Sequence, residues 1–537
     1  MKKKSTFNNC LWIKRPCLPL YLWIPPILVL CASFLPLVYL IIRTIGVDSQ
    51  LLDTLLRPRV FEVLLNSVGL ALAVTVSGCM LGFFLAWLTT RTDLPAKKFW
   101  TIILSLPLVL PSYVGAFAWV AALGPRGLLQ GWLEPFGVER LPSLYGFWGA
   151  WIILSLFSYP YVLLTVRAGF RGIDASLEDV ARSLGKNSFQ VFREILFPQL
   201  WPAIHAGALL IALYTLSDFG AVSLLQFNSF TQAIYSQYIG SFNRGVAAVL
   251  ACVLVLLTLL ILLFQFRIGG RSRYYRSSAG ALRRVPCVSL GKWRYPALFF
   301  CGSIGIFALG LPVMVISYWL IRGWIHHQSV LFGAEIVWNS VSASGLAALV
   351  AVIAALPIVI LAVRHARRST QWLERSTYIG HALPGIVIAF SLVFFGVRYV
   401  PFLYQTLFML IFAYVVHFLP HAVGSIRSSM LQISPRLEDA ARNLGKKPFH
   451  VFSSLTLPLL KPGLLSGFAL VFLSCMKELP ATLLLGPIEF QTLATKIWNA
   501  TEDAFFAKAA GPALILVLVS AMSIWIIFSQ EESEKGR

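Results

Sequence analysis

"EDVARSLGKNSFQVFREILFP", residues 178–198, lies between two apolar runs long enough to cross a membrane, and it returns 260 positions later as "EDAARNLGKKPFHVFSSLTLP", residues 438–458. Aligning 178–202 with 438–462 gives 13 identities in 25 positions. At the same offset "SDFGAVSLL" (217–225) faces "KELPATLLL" (477–485), which sets Asp218 opposite Glu478, and Arg167 faces Arg427. Further upstream the offset becomes 273: "EVLLNSVGLAL" (62–72) faces "EIVWNSVSASG" (335–345), and Pro111 faces Pro384. The change of offset places about thirteen extra residues in the first half, around 124–142. The chain is an internal duplication, and a duplication of this period is the first thing a fold assignment has to respect.

Each copy sits in a strongly apolar setting. Of the 537 residues 58% are hydrophobic and 12% charged, and mean hydropathy is +0.77, well outside soluble globular usage. Apolar runs of roughly 18 to 25 residues, enough to cross about 30 Å of hydrocarbon as helices, recur near 20–42, 64–89, 102–123, 144–166, 203–225, 246–266, 297–321, 340–363, 379–397, 402–424, 463–485 and 509–528. The sequence therefore predicts an all-α polytopic membrane protein with twelve spans. Six spans per half is an even number, so the halves share one orientation and form a parallel repeat about an axis along the membrane normal. The expected division is a first module over 1–266, a basic Gly- and Ser-containing linker over 267–295, and a second module over 296–537.

The net charge of +22 raises nucleic acid as a partner, but its distribution answers with topology. With the amino terminus in the cytoplasm, 33 Lys and Arg and 11 acidic residues fall inside, 10 basic and 9 acidic fall outside, and Asp218, Lys477 and Glu478 fall within spans. That is the positive-inside bias, and it puts both termini in the cytoplasm. No soluble stretch is long enough to offer a basic and aromatic nucleic-acid face. The opening "MKKK" resembles a signal peptide, but the apolar run Leu18 to Ile42 is too long and no small-residue cleavage site follows, so it is expected to stay as the first helix. Eight cysteines show no CxxC spacing, which argues against structural disulfides and zinc.

Both repeated segments fall on the cytoplasmic face, between the fourth and fifth spans of their halves. Glu178–Asp179 and Glu438–Asp439 suit a helix N-terminus. Val180, Ala181 and Leu184, with Ala440, Ala441 and Leu444, give a small apolar face at helical spacing. Gly185 and Gly445 permit a sharp turn, Phe189, Val191, Phe192 and Phe449, Val451, Phe452 begin a second apolar stretch, and Pro198 and Pro458 are expected to stop it before the next span. One such helix pair could lie on the membrane or pack under its own half. Two copies at symmetric positions point to a partner that also comes in two copies.

This pattern resembles the EAA loop of ABC importer permeases: acidic-Ala-Ala, three residues, Gly, nine residues, Ile-x-Leu-Pro. Asp179-Val180-Ala181, Gly185 and Ile195-Leu196-Phe197-Pro198 fit, as do Asp439-Ala440-Ala441, Gly445 and Leu455-Thr456-Leu457-Pro458. The departures are Asp for the usual Glu, Val180 for Ala, Phe197 for Leu and Leu455 for Ile. The resemblance covers nearly the whole chain. It implies a transport subunit of the bacterial inner membrane, not an enzyme, whose loops dock two copies of a separate ATPase that holds ATP and Mg. It also implies a periplasmic or lipid-anchored binding protein that delivers substrate. In keeping with this, no G-x-x-x-x-G-K-[ST] phosphate cradle occurs in the chain.

For the substrate, "YTLSDFGAVSLLQFNSFTQAIY" (214–235) and "MKELPATLLLGPIEFQTLATKIW" (476–498) look most like the ferric iron branch of these permeases, with thiamine, sulfate and polyamine permeases as alternatives. Asp218, Lys477 and Glu478 are ionisable side chains well inside spans, where charge usually faces a cavity or a partner. With Tyr214 they are the candidates for the translocation path. The competing reading is structural, for example Asp218 paired with Lys477 across the halves. Two carboxylates do not make a dedicated iron site, although oxygen suits Fe(III). His417 and His421, four apart beside Pro420, read as packing residues, and Asn66-Ser67 and Asn339-Ser340 as caps or interhelical hydrogen bonds. The rival classes are an ion-coupled secondary transporter, which would want more intramembrane carboxylates and leaves the twin loops unexplained, and a membrane-embedded enzyme, which would want a cluster of catalytic residues.

Overall fold

The computed structural model describes residues 23–45, 57–125, 127–138, 141–173, 175–240, 244–269, 287–327, 333–365 and 367–535. The amino-terminal basic stretch and linker residues 270–286 lie outside them. The described chain is helical, with one isolated parallel bridge, Thr92 to Val288.

Among the described residues ten helices are long and apolar enough to cross a bilayer, and two bent helix pairs bring the number to twelve if each pair is one span. The two halves correspond span by span. First spans are Ile24–Ile45 and the continuous stretch 291–325; second spans are Pro58–Arg91 and Ala334–Arg364; fourth spans are Phe147–Gly172 and Leu407–Gln432. The last span of each half is Arg244–Gly269 and Phe506–Lys535.

The third spans depart from the straight crossings expected at 102–123 and 379–397. Lys97–Val109 meets Ser112–Phe136 at 96°, and Arg368–Gly380 meets Gly385–Tyr399 at 94°. The breaks fall at Pro111 and Pro384, the residues matched by the 273 offset, and each proline stands in extended conformation just before the outgoing helix. Proline lacks the amide that would continue the incoming helix and is well suited to open the next one. From Pro111 to the fourth span at Phe147 the first half takes 36 residues, whereas Pro384 to Leu407 takes 23. The thirteen extra residues carry a short helix, Leu128–Leu133, absent from the second half.

Packing within a bilayer has little hydrophobic drive between helices and depends on close approach of small residues. Ala343, Ala347, Ala351 and Ala355, at four-residue spacing, are all buried in the span Ala334–Arg364. The two halves also interlock. Tyr39 of the first span packs edge-on against Phe395 and Tyr399 of the second half. The reciprocal arrangement sets Trp119 against Phe307 and Phe117 against Phe506.

The duplicated Asn-Ser pair has a clear role. Ser67 Oγ accepts from the Phe230 amide at 2.9 Å and Ser340 Oγ from the Leu493 amide at 2.7 Å. Asn66 and Asn339 donate to the carbonyls of Asn228 and Gln491. In both halves the second span thus holds the start of the short helix that precedes the last span, Phe230–Gly240 and Leu493–Glu502.

Candidate functional site

Each repeated segment folds as a short helix, Ala175–Ser183 or Pro435–Asn443, then a glycine turn, then a second helix. The turn is a Schellman closure. Gly185 and Gly445 take φ of +82° and +81°; their amides bond Arg182 and Arg442, while those of Lys186 and Lys446 reach back to Ala181 and Ala441. Nothing lies within 4 Å of a Cβ added at either glycine, so the left-handed backbone, and not space, calls for glycine.

The acidic pairs divide their labour. Glu178 is buried at 1% and Glu438 at 7%, while Asp179 and Asp439 face outward. Glu178 receives Arg91 Nη2 on both oxygens, at 2.5 and 2.6 Å. Glu438 receives Arg364 Nε at 3.1 Å and Nη2 at 2.9 Å, and Arg364 also bonds the Ile433 carbonyl. Arg91 and Arg364 are the last residues of the two second spans and are themselves matched by the 273 offset. A buried pair of this kind is costly to break, because the partner left behind is an uncompensated charge. The ion pairs therefore fix both loops at the same place under their modules. The sequence signal was present, a basic residue at equivalent positions, but nothing local linked it to a glutamate 87 residues away.

In each loop a leucine and a phenylalanine point away from the chain, while Val191 and Val451 turn inward at 2% exposure. Leu184 and Leu444 are 74% and 82% exposed, Phe189 and Phe449 68% and 81%. Ala181 is buried and Ala441 partly so, so the outward face is carried by the larger residues.

Pro198 and Pro458 do not stop the second helix, contrary to the sequence expectation. Each helix runs on without a break, Ser188–Ser217 and Pro448–Lys477. A π turn just ahead of the proline, Phe192–Leu196 in one half and Phe452–Thr456 in the other, widens the helix by one residue. Proline has no amide to offer and its ring crowds the preceding turn; the wider turn accommodates both. Each loop is thereby joined by one 30-residue helix, about 45 Å long at 1.5 Å per residue, to the point where that helix ends.

That end is Asp218 in the first half and Glu478 in the second. Both stand at a break, followed by the short helices Gly220–Leu224 and Pro480–Leu485. Asp218 Oδ1 accepts the Ala221 amide at 2.9 Å, and Glu478 Oε1 the Ala481 amide at 3.3 Å. Each carboxylate also meets the broken third span of its own half. Asp218 is hydrogen-bonded by the Ser112 hydroxyl, and Glu478 lies so close to Gly385 that an added Cβ would sit 2.4 Å from Oε1. Residues 112 and 385 are equivalent, so the shorter acid faces the residue with a side chain and the longer acid faces glycine.

Lys477 donates from Nζ to the Leu108 carbonyl of the first half at 2.6 Å. Among the described residues no ion pair joins it to Asp218, so the cross-half pair considered from sequence is replaced by a bond to backbone freed where the third span breaks. Tyr214 shares the Ser112 hydroxyl and packs on Tyr161, ring centroids 5.7 Å apart. His417 Nδ1 bonds the Gly380 carbonyl at 3.2 Å. Among the described residues no group of three or more His, Cys, Asp or Glu could hold a metal ion, and the six described cysteines are unpaired thiols.

The family of binding-protein-dependent transport system inner membrane components matches this chain twice, at residues 78–274 and 347–531. The chain belongs to that family. Its two modules are two copies of the family's domain, and each copy contains one of the glycine-turned loops. The Fe(3+)-transport system permease protein FbpB 2 of Haemophilus influenzae is 39% identical over 96% of this chain and 98% of its own length. The ferric transport system permease protein FbpB of Actinobacillus pleuropneumoniae is 27% identical over 87% of this chain and 71% of its own. A probable sulfate transport system permease protein of Prototheca wickerhamii is 28% identical over 39% of this chain, a single module.

Proposed function

We propose that this chain is the permease subunit of an ATP-driven importer of ferric iron, seated in a bacterial inner membrane with both termini in the cytoplasm. The observation that carries the reading is the pair of loops at 178–198 and 438–458. Each is pinned by a buried Arg–Glu pair to its own module, presents bulky apolar side chains to the outside, and continues as one helix to an intramembrane carboxylate. Two copies of a separate ATPase, which supplies ATP and Mg, take the two exposed faces, and a binding protein delivers substrate from the other side.

The mechanism follows from stiffness. When the ATPase pair closes, the two loops are drawn together. Arg91 and Arg364 pass that displacement to the second spans, and the long helices 188–217 and 448–477 pass it to Asp218 and Glu478. The modules rock about the seam between them, and access alternates between the two faces. Substrate identity rests on the ferric relatives, which match both modules; the sulfate relative matches only one. The test is reconstitution of the chain with its co-purified ATPase and binding protein in proteoliposomes. ATP-dependent accumulation of iron, and none of sulfate, is expected. Sulfate uptake without iron uptake would overturn the substrate, and iron uptake driven by an ion gradient without ATP would overturn the class.

A further inference from the structure

Where the two halves meet, oxygen donors gather in two groups, one about Asp218 and one about Glu478, with Tyr113 between them. Tyr113 follows Ser112 at the start of the outgoing half of the first broken span. Its Cβ packs over Gly220, just past Asp218, and its hydroxyl is close enough to interact electrostatically with Glu478 of the other half and with the hydroxyls of Tyr214 and Tyr414. Tyr414 Oη shares a 2.5 Å hydrogen bond with Thr482 Oγ1, and Thr482 donates to the Glu478 carbonyl at 2.6 Å. Tyr113 is 3% exposed, yet its hydroxyl has no hydrogen-bond partner. A buried phenol normally finds one, and leaving it without costs about 1–3 kcal/mol. A group kept in that state at the seam is a donor waiting for something else.

We infer that Asp218, Glu478, Tyr113, Tyr214 and Tyr414 form an all-oxygen transit station for a hard, highly charged cation at the seam of the two halves. This rests on the importer reading and gives its cargo a place. Carboxylate and phenol oxygens are the ligands such ions select, in preference to sulfur. The seam carries two carboxyl groups and one lysine, whose amine is taken by the Leu108 carbonyl, a donor set that suits a cation and not an oxyanion. The donor set is sparse and divided between the halves, so rocking separates its members. A transit site has to release what it binds, and an arrangement that comes apart with each cycle does so. In this conformation the space beside Glu478 and Tyr414, lined by the second half alone and including Cys475 and Met476, has no room for a water molecule, so cargo enters only when the halves move. A phenol that binds Fe(III) as phenolate gives its proton to water admitted when the halves part. Cys475 is buried beside Glu478 and Tyr414 and is given no part.

The test uses the full chain with its co-purified ATPase in proteoliposomes, supplied with iron-loaded binding protein and ATP. Iron uptake and the visible phenolate-to-iron charge-transfer band are followed together. Wild type is expected to show both. Tyr113→Phe is expected to lose most of the band and about tenfold of uptake, the scale of one polar contact to an ion. Glu478→Gln keeps an acceptor for the Ala481 amide but lacks the charge, and is expected to lose uptake to a similar degree. Cys475→Ser should keep both signals. Each variant is read only when it retains its ATPase, and Glu478→Gln serves if Tyr113→Phe does not assemble. Wild-type uptake of sulfate and not iron would sink both the station and the ferric reading. Iron uptake that persists equally in Tyr113→Phe and Glu478→Gln, or proceeds in wild type with no band, would sink the station alone.

Discussion

The loops at 178–198 and 438–458 make the same turn with the same φ, yet they are fastened differently. In the first half the Arg91–Glu178 pair is nearly sealed, with side chains 3% and 1% exposed; the Arg364–Glu438 pair is looser, at 11% and 10%, and Glu438 shares its carboxylate with Thr456 Oγ1 at 3.3 Å. The second helix of the first loop opens on a capping box between Asn187 and Gln190 and is spanned by a Lys186–Glu194 ion pair. The corresponding helix in the second half starts on Pro448 with no side-chain cap. The linker also touches the first half: Val288 exchanges backbone hydrogen bonds with Arg91 and Asp93, and Asp93 Oδ1 accepts the Leu290 amide at 2.8 Å. Duplication therefore preserved what the turn and the lever need, and let the fastening of each loop vary.

The largest expected effect breaks the fastening. Arg91→Ala leaves Glu178 buried and uncompensated, and should cost about 3–5 kcal/mol. Arg364→Ala should cost less, about 2–3 kcal/mol, because Glu438 is less buried and keeps Thr456. Thermal unfolding of the purified chain measures the difference; equal losses would contradict the asymmetry. Next is the complementarity of acid and neighbour. Gly385→Ala pushes on Glu478 and should cost about 1–3 kcal/mol by overpacking, and pairing it with Glu478→Asp should recover most of the loss. Failure of the double change to recover would show that length matching is not what relates Ser112–Asp218 to Gly385–Glu478.

The glycine turns should answer alike. Gly185→Val and Gly445→Val each force a β-branched residue into the left-handed region, at about 1–2 kcal/mol. Hydrogen exchange at the Lys186 and Lys446 amides should rise to the same extent in both. The smallest effect concerns the linker. The Leu290 amide holds the Asp93 carboxyl below the usual carboxylate range. Its contribution is therefore present above the unfolded value, near 4, and lost as pH falls through the lower folded value. At neutral pH Asp93→Asn should speed proteolytic cutting near 287–290 without changing either loop, and in the wild type the same cutting should rise only in acid.

Much of this was legible in the sequence because the duplication acts as its own control. The two offsets alone locate the loops, the equivalent prolines, the opposed carboxylates and the Asn-Ser pairs. The missing parts share one physical cause: they are relations between distant residues or between turns of equal composition. Pro111 and Pro384 sit in apolar runs, and hydropathy alone does not distinguish a straight span from one bent by more than 90°. Pro198 and Pro458 signal a stop locally, yet a π turn, with no compositional mark, carries the helix past them. The Arg–Glu pairs and the position of Tyr113 arise only when spans pack. Lys477 looked like a partner for Asp218 because both are charged, whereas the carbonyl released by the break near Pro111 offers it a hydrogen bond that no sequence pattern records.

The central claim is that the twin loops are two docking sites for one kind of ATPase. The most direct measurement is the copy number of the nucleotide-binding subunit that co-purifies from native membrane with wild type, with Leu184→Glu, with Leu444→Glu, and with both changes. These leucines are 74% and 82% exposed, so a charge there spares the fold and spoils the docking face. The account predicts two copies for wild type, loss of one with either single change, and none with both. Two copies retained in the double variant, or no ATPase with intact wild type, would contradict it.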